Sequence, residues 1–162
     1  MIDKNEDYLL KIFKNKGEKL KFKIGQSLCD DKYLSGSIYL IEEGSARIIH
    51  KINNKFKTIK KISRGTLVGA ISLVRSDPCE NVRASSELIA FKLTDKDFKD
   101  YYFSDLKFKE LVDSCTYYSE LINFAEHLQN KIANDSSDIL EIYEDLKSKY
   151  KINFFDQEKL KE

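Results

Sequence analysis

The side chains that could do chemistry in this chain of 162 residues are few and scattered. Its three cysteines are odd in number, lie far apart and have no paired spacing, so neither a disulfide framework nor a zinc site is indicated. His50 and His127 have no partner at metal-ligand spacing. The sequence contains no nucleophile paired with a base and no pair of carboxylates in a defined motif. It also contains no phosphate-binding loop of the kind that holds nucleoside triphosphates. The sequence therefore predicts a domain that is not an enzyme and has no cofactor and no metal.

Reactive groups lie together in one short segment, Pro78, Cys79 and Glu80. Cys79 and Glu80 could bind a ligand or react. The simpler interpretation is a rigid loop tip, because proline restricts the conformation of the residue before it. Whichever holds, the neighbouring strands and helices must position this segment.

The distribution of glycine separates the chain into two kinds of structure. All six glycines lie before position 70. Glycines at intervals mark turns between short strands, whereas a glycine-free stretch rich in Leu, Lys, Glu and Asp favours helices. We therefore expect a barrel with an N-terminal helix over residues 1–103 and a C-terminal helical extension over residues 104–162.

The first half contains the signals of seven or eight short strands. Leu20, Phe22 and Ile24 alternate with lysines, which predicts a half-buried strand that ends at Gly25. Asn53 and Asn54 tolerate positive φ and predict a hairpin. The other predicted strands cover residues 37–43, 46–51, 56–62, 67–68, 82–85 and 88–93. Many short strands with frequent turn signals favour a closed all-β barrel or a jelly roll.

Helices are predicted at both ends of the barrel. Apolar side chains within residues 8–13 indicate a short amphipathic entry helix. Thr94 followed by Asp97 predicts a capped helix after the last strand. A further helix is predicted from about Leu106 through His127, and a last one after Ser136 or Ser137. The apolar stripe over residues 106–128 predicts a homodimer contact, unless that stripe packs on the barrel instead.

The charge balance gives no reason to expect a polyanionic partner. Lys and Arg number 28 and Asp and Glu 27, a net charge of +1, so we expect no nucleic acid and no anionic membrane surface as an obligatory partner. The basic run from Lys55 to Arg64 is most simply a solvated hairpin face, with nucleic-acid contact the lesser alternative. No stretch has the length and apolarity of a membrane span or a signal peptide, which predicts a cytoplasmic, soluble domain.

Three segments, in order, resemble the cyclic-nucleotide-binding family, which includes bacterial catabolite regulators and kinase regulatory subunits. Residues 22–31 (FKIGQSLCDD) resemble its opening strand, residues 35–48 (SGSIYLIEEGSARI) its central strand, and residues 61–73 (KISRGTLVGAISL) the lead into its phosphate cassette. The resemblance covers about residues 18–103. It implies a mainly β fold with an eight-stranded β-barrel or jelly roll, flanked by an N-terminal helix and C-terminal helices.

The resemblance also implies a ligand pocket. In the family, a short helical turn after a glycine directs backbone N–H groups at the cyclic phosphate, the next residue is a glutamate that binds the ribose, and an arginine about ten residues on pairs with the phosphate. Here the glycine is Gly69, the turn covers residues 70–74 and the glutamate position holds Ala70. The arginine position falls on Pro78, Cys79 or Glu80, and Glu80 would repel a phosphate. The candidate pocket residues are Gly69, Ala70, Ile71, Ser72, Cys79, Glu80 and Asn81.

The loss of both polar anchors predicts a degenerate pocket. A hydrogen bond to a charged group contributes roughly 1.5–3 kcal/mol, so their loss should weaken binding by several orders of magnitude. Arg75 or Arg83 could substitute, although alternation beside the inward Val82 points Arg83 outward. We therefore expect no usual cAMP binding, while a smaller, less anionic small-molecule effector or a protein surface could use the same frame.

The amino-acid sequence of residues 65–91 resembles a narrower group within this family, the N-terminal domains of cyanobacterial peptidase-containing ABC exporters of bacteriocin-like or toxin peptides. That resemblance implies a regulatory or docking domain on a membrane transporter, at the cytoplasmic face of the inner membrane. The alternative is the ligand-sensing domain of a catabolite-regulator-type transcription factor that binds a cyclic nucleotide. This alternative needs a helix-turn-helix domain after the dimer helix.

Overall fold

The computed structural model describes residues 4–52, 54–76, 78 and 80–116, and within them the predicted eight strands with helices on both sides are confirmed. The elements are α1 (Lys4–Lys16), β1 (Glu18–Phe22), β2 (Ser27–Cys29), β3 (Ser37–Glu43), β4 (Ser45–Ile52), β5 (Lys55–Ser63), β6 (Leu67–Val68), α2 (Ala70–Arg75), β7 (Val82–Ala84), β8 (Leu88–Thr94), α3 (Asp95–Ser104) and α4 (Leu106–Thr116).

The strands form two antiparallel four-stranded sheets, in the orders β1-β8-β3-β6 and β2-β7-β4-β5. No strand pairing joins the two sheets among the described residues, so the fold is the jelly roll and not the closed barrel. The edge strands β2 and β6 have only three and two residues, which is too short to continue a ladder around the molecule.

Two apolar clusters hold the elements together. The first lies between the sheets and contains Leu28, Cys29, Ile41, Ala46, Ile62, Val68, Val82, Ala84, Leu88 and Ala90. The second, the helix-side cluster, joins the other face of β3 and β8 to the helices. Its members include Phe13 of α1, Leu40 of β3, Phe98 of α3 and Phe108 of α4, all fully buried. Burial of such side chains contributes roughly 1.5–3 kcal/mol each.

The start of the predicted dimer helix packs on the jelly roll. Phe108 and Val112 of α4 are fully buried in the helix-side cluster, whereas Leu106 is 71% exposed. Residues 117–128 and the predicted last helix after Ser136 or Ser137 lie outside the described residues. In the part of the chain that is described, no helix has the length and apolarity to span a membrane.

Local signals set the ends of two elements. Thr94 caps α3 as predicted, because its Oγ1 accepts a hydrogen bond from the backbone N–H of Asp97 at 3.1 Å. The first strand ends at Phe22 and not at Gly25, so the prediction that Ile24 belongs to it is wrong. Gln26 N donates to Lys23 O at 3.0 Å and closes a turn there, which leaves Ile24 70% exposed.

The buried carboxylate of Glu42 joins α1 to the sheet. Its two oxygens lie 2.6 Å from Lys14 Nζ of α1 and 2.8 Å from Lys19 Nζ of β1. Both ammonium groups also lie within 6 Å of the Phe91 ring centroid. The hydrogen bonds from Lys14 and Lys19 hold the pKa of Glu42 below its ordinary value of 4.5.

This lowered pKa predicts a loss of stability in acid. A carboxyl whose pKa is lower in the folded state stabilises the fold above its unfolded pKa, and this contribution disappears as the pH falls through the folded pKa. The melting temperature should therefore fall as the pH drops below about 4.5. Glu42→Gln should lower the melting temperature at neutral pH and flatten this acid limb in thermal melts followed by circular dichroism. An acid limb equally steep in Glu42→Gln would contradict the assignment.

Candidate functional site

The predicted pocket begins at the glycine that joins β6 to α2. Gly69 has φ +88°, a left-handed conformation that L side chains rarely adopt, and a Cβ there would lie 3.0 Å from Ser37 O. This turn allows α2 to begin at Ala70, and Leu73 N donates the first helical hydrogen bond to Gly69 O at 3.2 Å. The helical turn predicted over residues 70–74 is confirmed and ends one residue later.

The carboxylate of Glu80 accepts hydrogen bonds from two backbone N–H groups at the start of this turn. Its Oε1 accepts from Gly69 N at 3.1 Å and its Oε2 accepts from Ser72 N at 2.9 Å. In return, the backbone N–H of Glu80 donates to Ser72 Oγ at 3.2 Å. Glu80 is only 6% exposed. The cradle formed by Gly69 N, Ser72 N and Ser72 Oγ is thus filled by a charged side chain of the same chain.

The chemistry of α2 explains why a carboxylate lies here. The first N–H groups of a helix have no partner within it and carry partial positive charge. Gly69 has no capping side chain, and the first turn of α2 contains no acidic residue. Glu80 therefore supplies the missing cap from further along the chain. A buried carboxylate is costly unless it is hydrogen-bonded, and the cradle provides those bonds.

The start of β7 holds Glu80 in place. Val82 and Ala84 point into the cluster between the sheets, and Val82 pairs with both β2 and β4. Asn81 is fixed on both sides, because its carbonyl oxygen accepts from Ile49 N at 2.8 Å and its Nδ2 donates to Asp31 at 3.3 Å. These contacts fix the backbone next to Glu80 and so direct its side chain at the cradle.

Within the segment interpreted as a rigid loop tip, Glu80 is buried and its carboxylate is bound to the start of α2. The sequence predicts that Glu80 repels a phosphate. In the structure its carboxylate binds the backbone N–H groups that, by resemblance to the family, a phosphate would bind. A sequence signal for this exists: a glutamate eleven residues after the glycine, combined with no acidic residue in the intervening helical turn. Cys79, the other predicted pocket residue of this segment, lies outside the described residues.

The remaining predicted pocket residues are buried around the cradle but make different contacts. Ala70 is fully buried in the helix-side cluster, and Ile71 is 5% exposed. Asn81 is 4% exposed, and its Oδ1 has no hydrogen-bond partner among the described residues. Arg83 lies on the outer face of its sheet, as alternation predicted, with its guanidinium carbon 4.8 Å from the Phe56 ring centroid. It therefore supplies no positive charge to the cradle.

The space beside the cradle is small. A cavity of about 10 Å³ lies between Gly69, Ser72, Leu73 and the segment from Cys29 to Ile38. This volume is about that needed by one water molecule. A cyclic nucleotide would enter only if Glu80 left the cradle and this segment moved outward.

The family model described as cyclic nucleotide-binding domain matches residues 19–105, which is more than half of the chain. No curated protein sequence matches the chain.

Several solved structures share the fold. The c-di-GMP responsive global regulator CLP of Xanthomonas campestris has a TM-score of 0.66 and 13% identity, over 80% of this chain and 66% of that one. The regulatory subunit of a cAMP-independent protein kinase A from Trypanosoma brucei has a TM-score of 0.59 and 17% identity, over 81% of this chain and 45% of that one. A cAMP-binding acyltransferase from Mycobacterium smegmatis has a TM-score of 0.54 and 21% identity, over 66% of this chain and 34% of that one. This chain thus spans two thirds or less of each protein, and at these identities the likeness shows the fold alone.

Proposed function

This chain belongs to the cyclic nucleotide-binding domain family, and from that premise we propose that it is a regulatory or docking domain that keeps its pocket closed without a cyclic nucleotide. The observation that carries the proposal is the Glu80 carboxylate bound to Gly69 N and Ser72 N. By resemblance to the family, those N–H groups are where the cyclic phosphate would bind. An internal anion thus takes the place of the ligand's anion.

The energetics of displacement support this proposal. A nucleotide must break two hydrogen bonds to a charged group, each contributing roughly 1.5–3 kcal/mol, before its phosphate can reach the cradle. The phosphate then meets no basic side chain among the described residues of the cradle, since Arg83 lies on the outer face of the sheet. The methyl group of Ala70 offers the ribose no hydrogen-bond acceptor. Cyclic nucleotides therefore compete poorly with Glu80.

A structural neighbour offers a chemical parallel. The Trypanosoma brucei regulatory subunit is described as belonging to a cAMP-independent kinase. A triple mutant of it, in which a glutamate becomes alanine, a threonine becomes arginine and a valine becomes alanine, is bound to cAMP in its A site. Removal of a glutamate and gain of an arginine are the changes that our proposal requires for cAMP to bind here.

Isothermal titration of the protein with cAMP and cGMP tests the proposal. We expect no saturable heat with either nucleotide, because Glu80 already occupies the cradle and Arg83, which lies on the outer face of its sheet, cannot pair with the phosphate. A dissociation constant in the micromolar range or tighter would overturn the proposal.

The wider setting that we propose is the N-terminal regulatory part of an ABC-type exporter of peptides or toxins, with the transporter as the attached partner at the cytoplasmic face of the membrane. The resemblance of residues 65–91 to such domains supports this setting. The gene sequence beyond Glu162 tests it. A reading frame that continues into peptidase, membrane and ATPase segments is expected, and a frame that encodes none of them would contradict it.

A second candidate is the ligand-sensing domain of a transcription regulator, which shares the fold of the Xanthomonas regulator and of the N-terminal domain of a Streptomyces coelicolor regulator. This candidate predicts a helix-turn-helix segment in the same gene and a full-length product that retards DNA in a gel. A full-length product that fails to shift DNA in the presence and absence of cAMP would remove it.

A further inference from the structure

Three basic residues lie side by side on the outer face of the sheet β2-β7-β4-β5. Arg47 of β4 is the direct partner of Arg83 on β7 and of Lys61 on β5. Their neighbours in sequence Ala46, Ala84 and Ile62 point into the cluster between the sheets, so these three side chains point outward. Together Arg83, Arg47 and Lys61 form a basic row that crosses three strands.

Within residues 4–116 as far as they are described, the basic row has no acidic partner. Like charges directly opposite one another destabilise a sheet, so such a row is not expected from stability alone. Other cations in the described part of the chain do form ion pairs, as Lys14 does with Glu42 and Lys109 with Asp113. No ion pair within the described residues involves a member of the row. The position beside Arg83 on β2 is Ser27, which is neutral.

Two further observations concern how the row is held. The guanidinium carbon of Arg83 lies 4.8 Å from the ring centroid of Phe56, which is 48% exposed. Arg83 is therefore fixed in position by a cation–π contact. Its Nε is buried and has no hydrogen-bond partner among the described residues. Arg83 is thus held at the inner end of the row, and Arg47 and Lys61 lie nearer to the β5 edge.

The row ends at a sheet edge. β5 is the last strand in its sheet order, so one side of this strand of nine residues is not paired with any described strand. A segment that added itself in extended form beside β5 would place one of its residues next to Lys61. A carboxylate at that residue would continue the row with the opposite charge, as cross-strand pairs prefer.

From the charge and position of this row we infer that the β5 edge docks an acidic, extended segment of a partner protein, whose carboxylates pair with Lys61 and Arg47, the two members of the row nearest to that edge. Nucleic acid fits less well, because binding of polyanions relies on a broad basic field and this chain has a net charge of only +1. Recognition of an anionic membrane relies on larger basic clusters than three residues.

Fluorescence anisotropy with a short labelled peptide of alternating glutamate and threonine tests the inference on the whole chain. The wild type should bind this peptide, with affinity that falls as salt is raised. The double variant Arg47→Ser, Lys61→Ser should bind about 10-fold more weakly. A matched control, Lys11→Ser with Lys96→Ser on exposed helix positions, should bind like the wild type.

Thermal melts of the row variant provide an independent readout. Removal of like charges should leave the melting temperature equal to or above that of the wild type at low salt. Equal peptide binding by the row variant and the wild type would overturn the inference. Tighter binding of single-stranded DNA, or of phosphatidylserine vesicles, than of the acidic peptide would overturn it as well, in favour of that other partner.

Discussion

Replacement of Glu80 by alanine is expected to lower the free energy of unfolding by about 3 kcal/mol, because two buried N–H groups lose their partner and each costs roughly 1–3 kcal/mol. For a domain of this size such a change lowers the melting temperature by about 6–12 °C. The free energy of unfolding of Glu80→Gln should lie between those of the wild type and Glu80→Ala, since the glutamine amide retains one acceptor oxygen but has no charge. Thermal and urea melts measure the effect.

A control and a rescue experiment separate lost capping from general damage. Glu87→Ala removes an exposed glutamate whose carboxylate makes no hydrogen bond or ion pair within the described residues, and it should change the stability by less than about 0.5 kcal/mol. Sodium acetate should recover part of the melting temperature of Glu80→Ala, because its carboxylate can replace the missing one, and it should do little for the wild type. A Glu80→Ala variant as stable as Glu87→Ala would show that the cradle does not depend on this carboxylate.

The double variant Cys79→Arg, Glu80→Ala is expected to bind cAMP at least about 100-fold more tightly than the wild type. The change removes the competing carboxylate and adds a positive charge for the phosphate, and each charge-assisted contact contributes roughly 1.5–3 kcal/mol. Ala70 is left unchanged, because a glutamate at this buried position would place a charge in the helix-side cluster. Isothermal titration measures the gain.

The single variant Cys79→Arg is the matched control for this experiment. It keeps Glu80 in the cradle, so we expect little gain in cAMP affinity despite the added arginine. A folded double variant with no more affinity than Cys79→Arg would contradict the view that Glu80 blocks the site. A large gain from Cys79→Arg alone would show instead that only the missing arginine had mattered.

Much of the fold could be predicted because it rests on local chemistry. The hairpin at Asn54 formed where an asparagine could adopt φ +62°, and the turn at Gly69 formed where only glycine tolerates the conformation and the close approach of Ser37 O. Alternation placed Arg83 on the outer face of its sheet. Each of these signals depends on a residue and its neighbours in sequence.

The spacing of Glu80 from Gly69 is not enough by itself to predict the position of its carboxylate, because that position depends on contacts between elements. The Glu80 carboxylate reaches the cradle because β7 begins at Val82 and pairs with both β2 and β4. Reasoning from charge alone placed an acid opposite an expected phosphate and predicted repulsion. The backbone donors at the start of α2 require some anion, and the chain supplies its own.

Amide resonances of Gly69 and Ser72, followed by NMR with and without cAMP, test most directly whether Glu80 holds the cradle. We expect strongly hydrogen-bonded, downfield amide protons in the free protein, unchanged positions when cAMP is added, and upfield shifts of both in Glu80→Gln. A saturable shift of these two resonances on addition of cAMP to the wild type would contradict it.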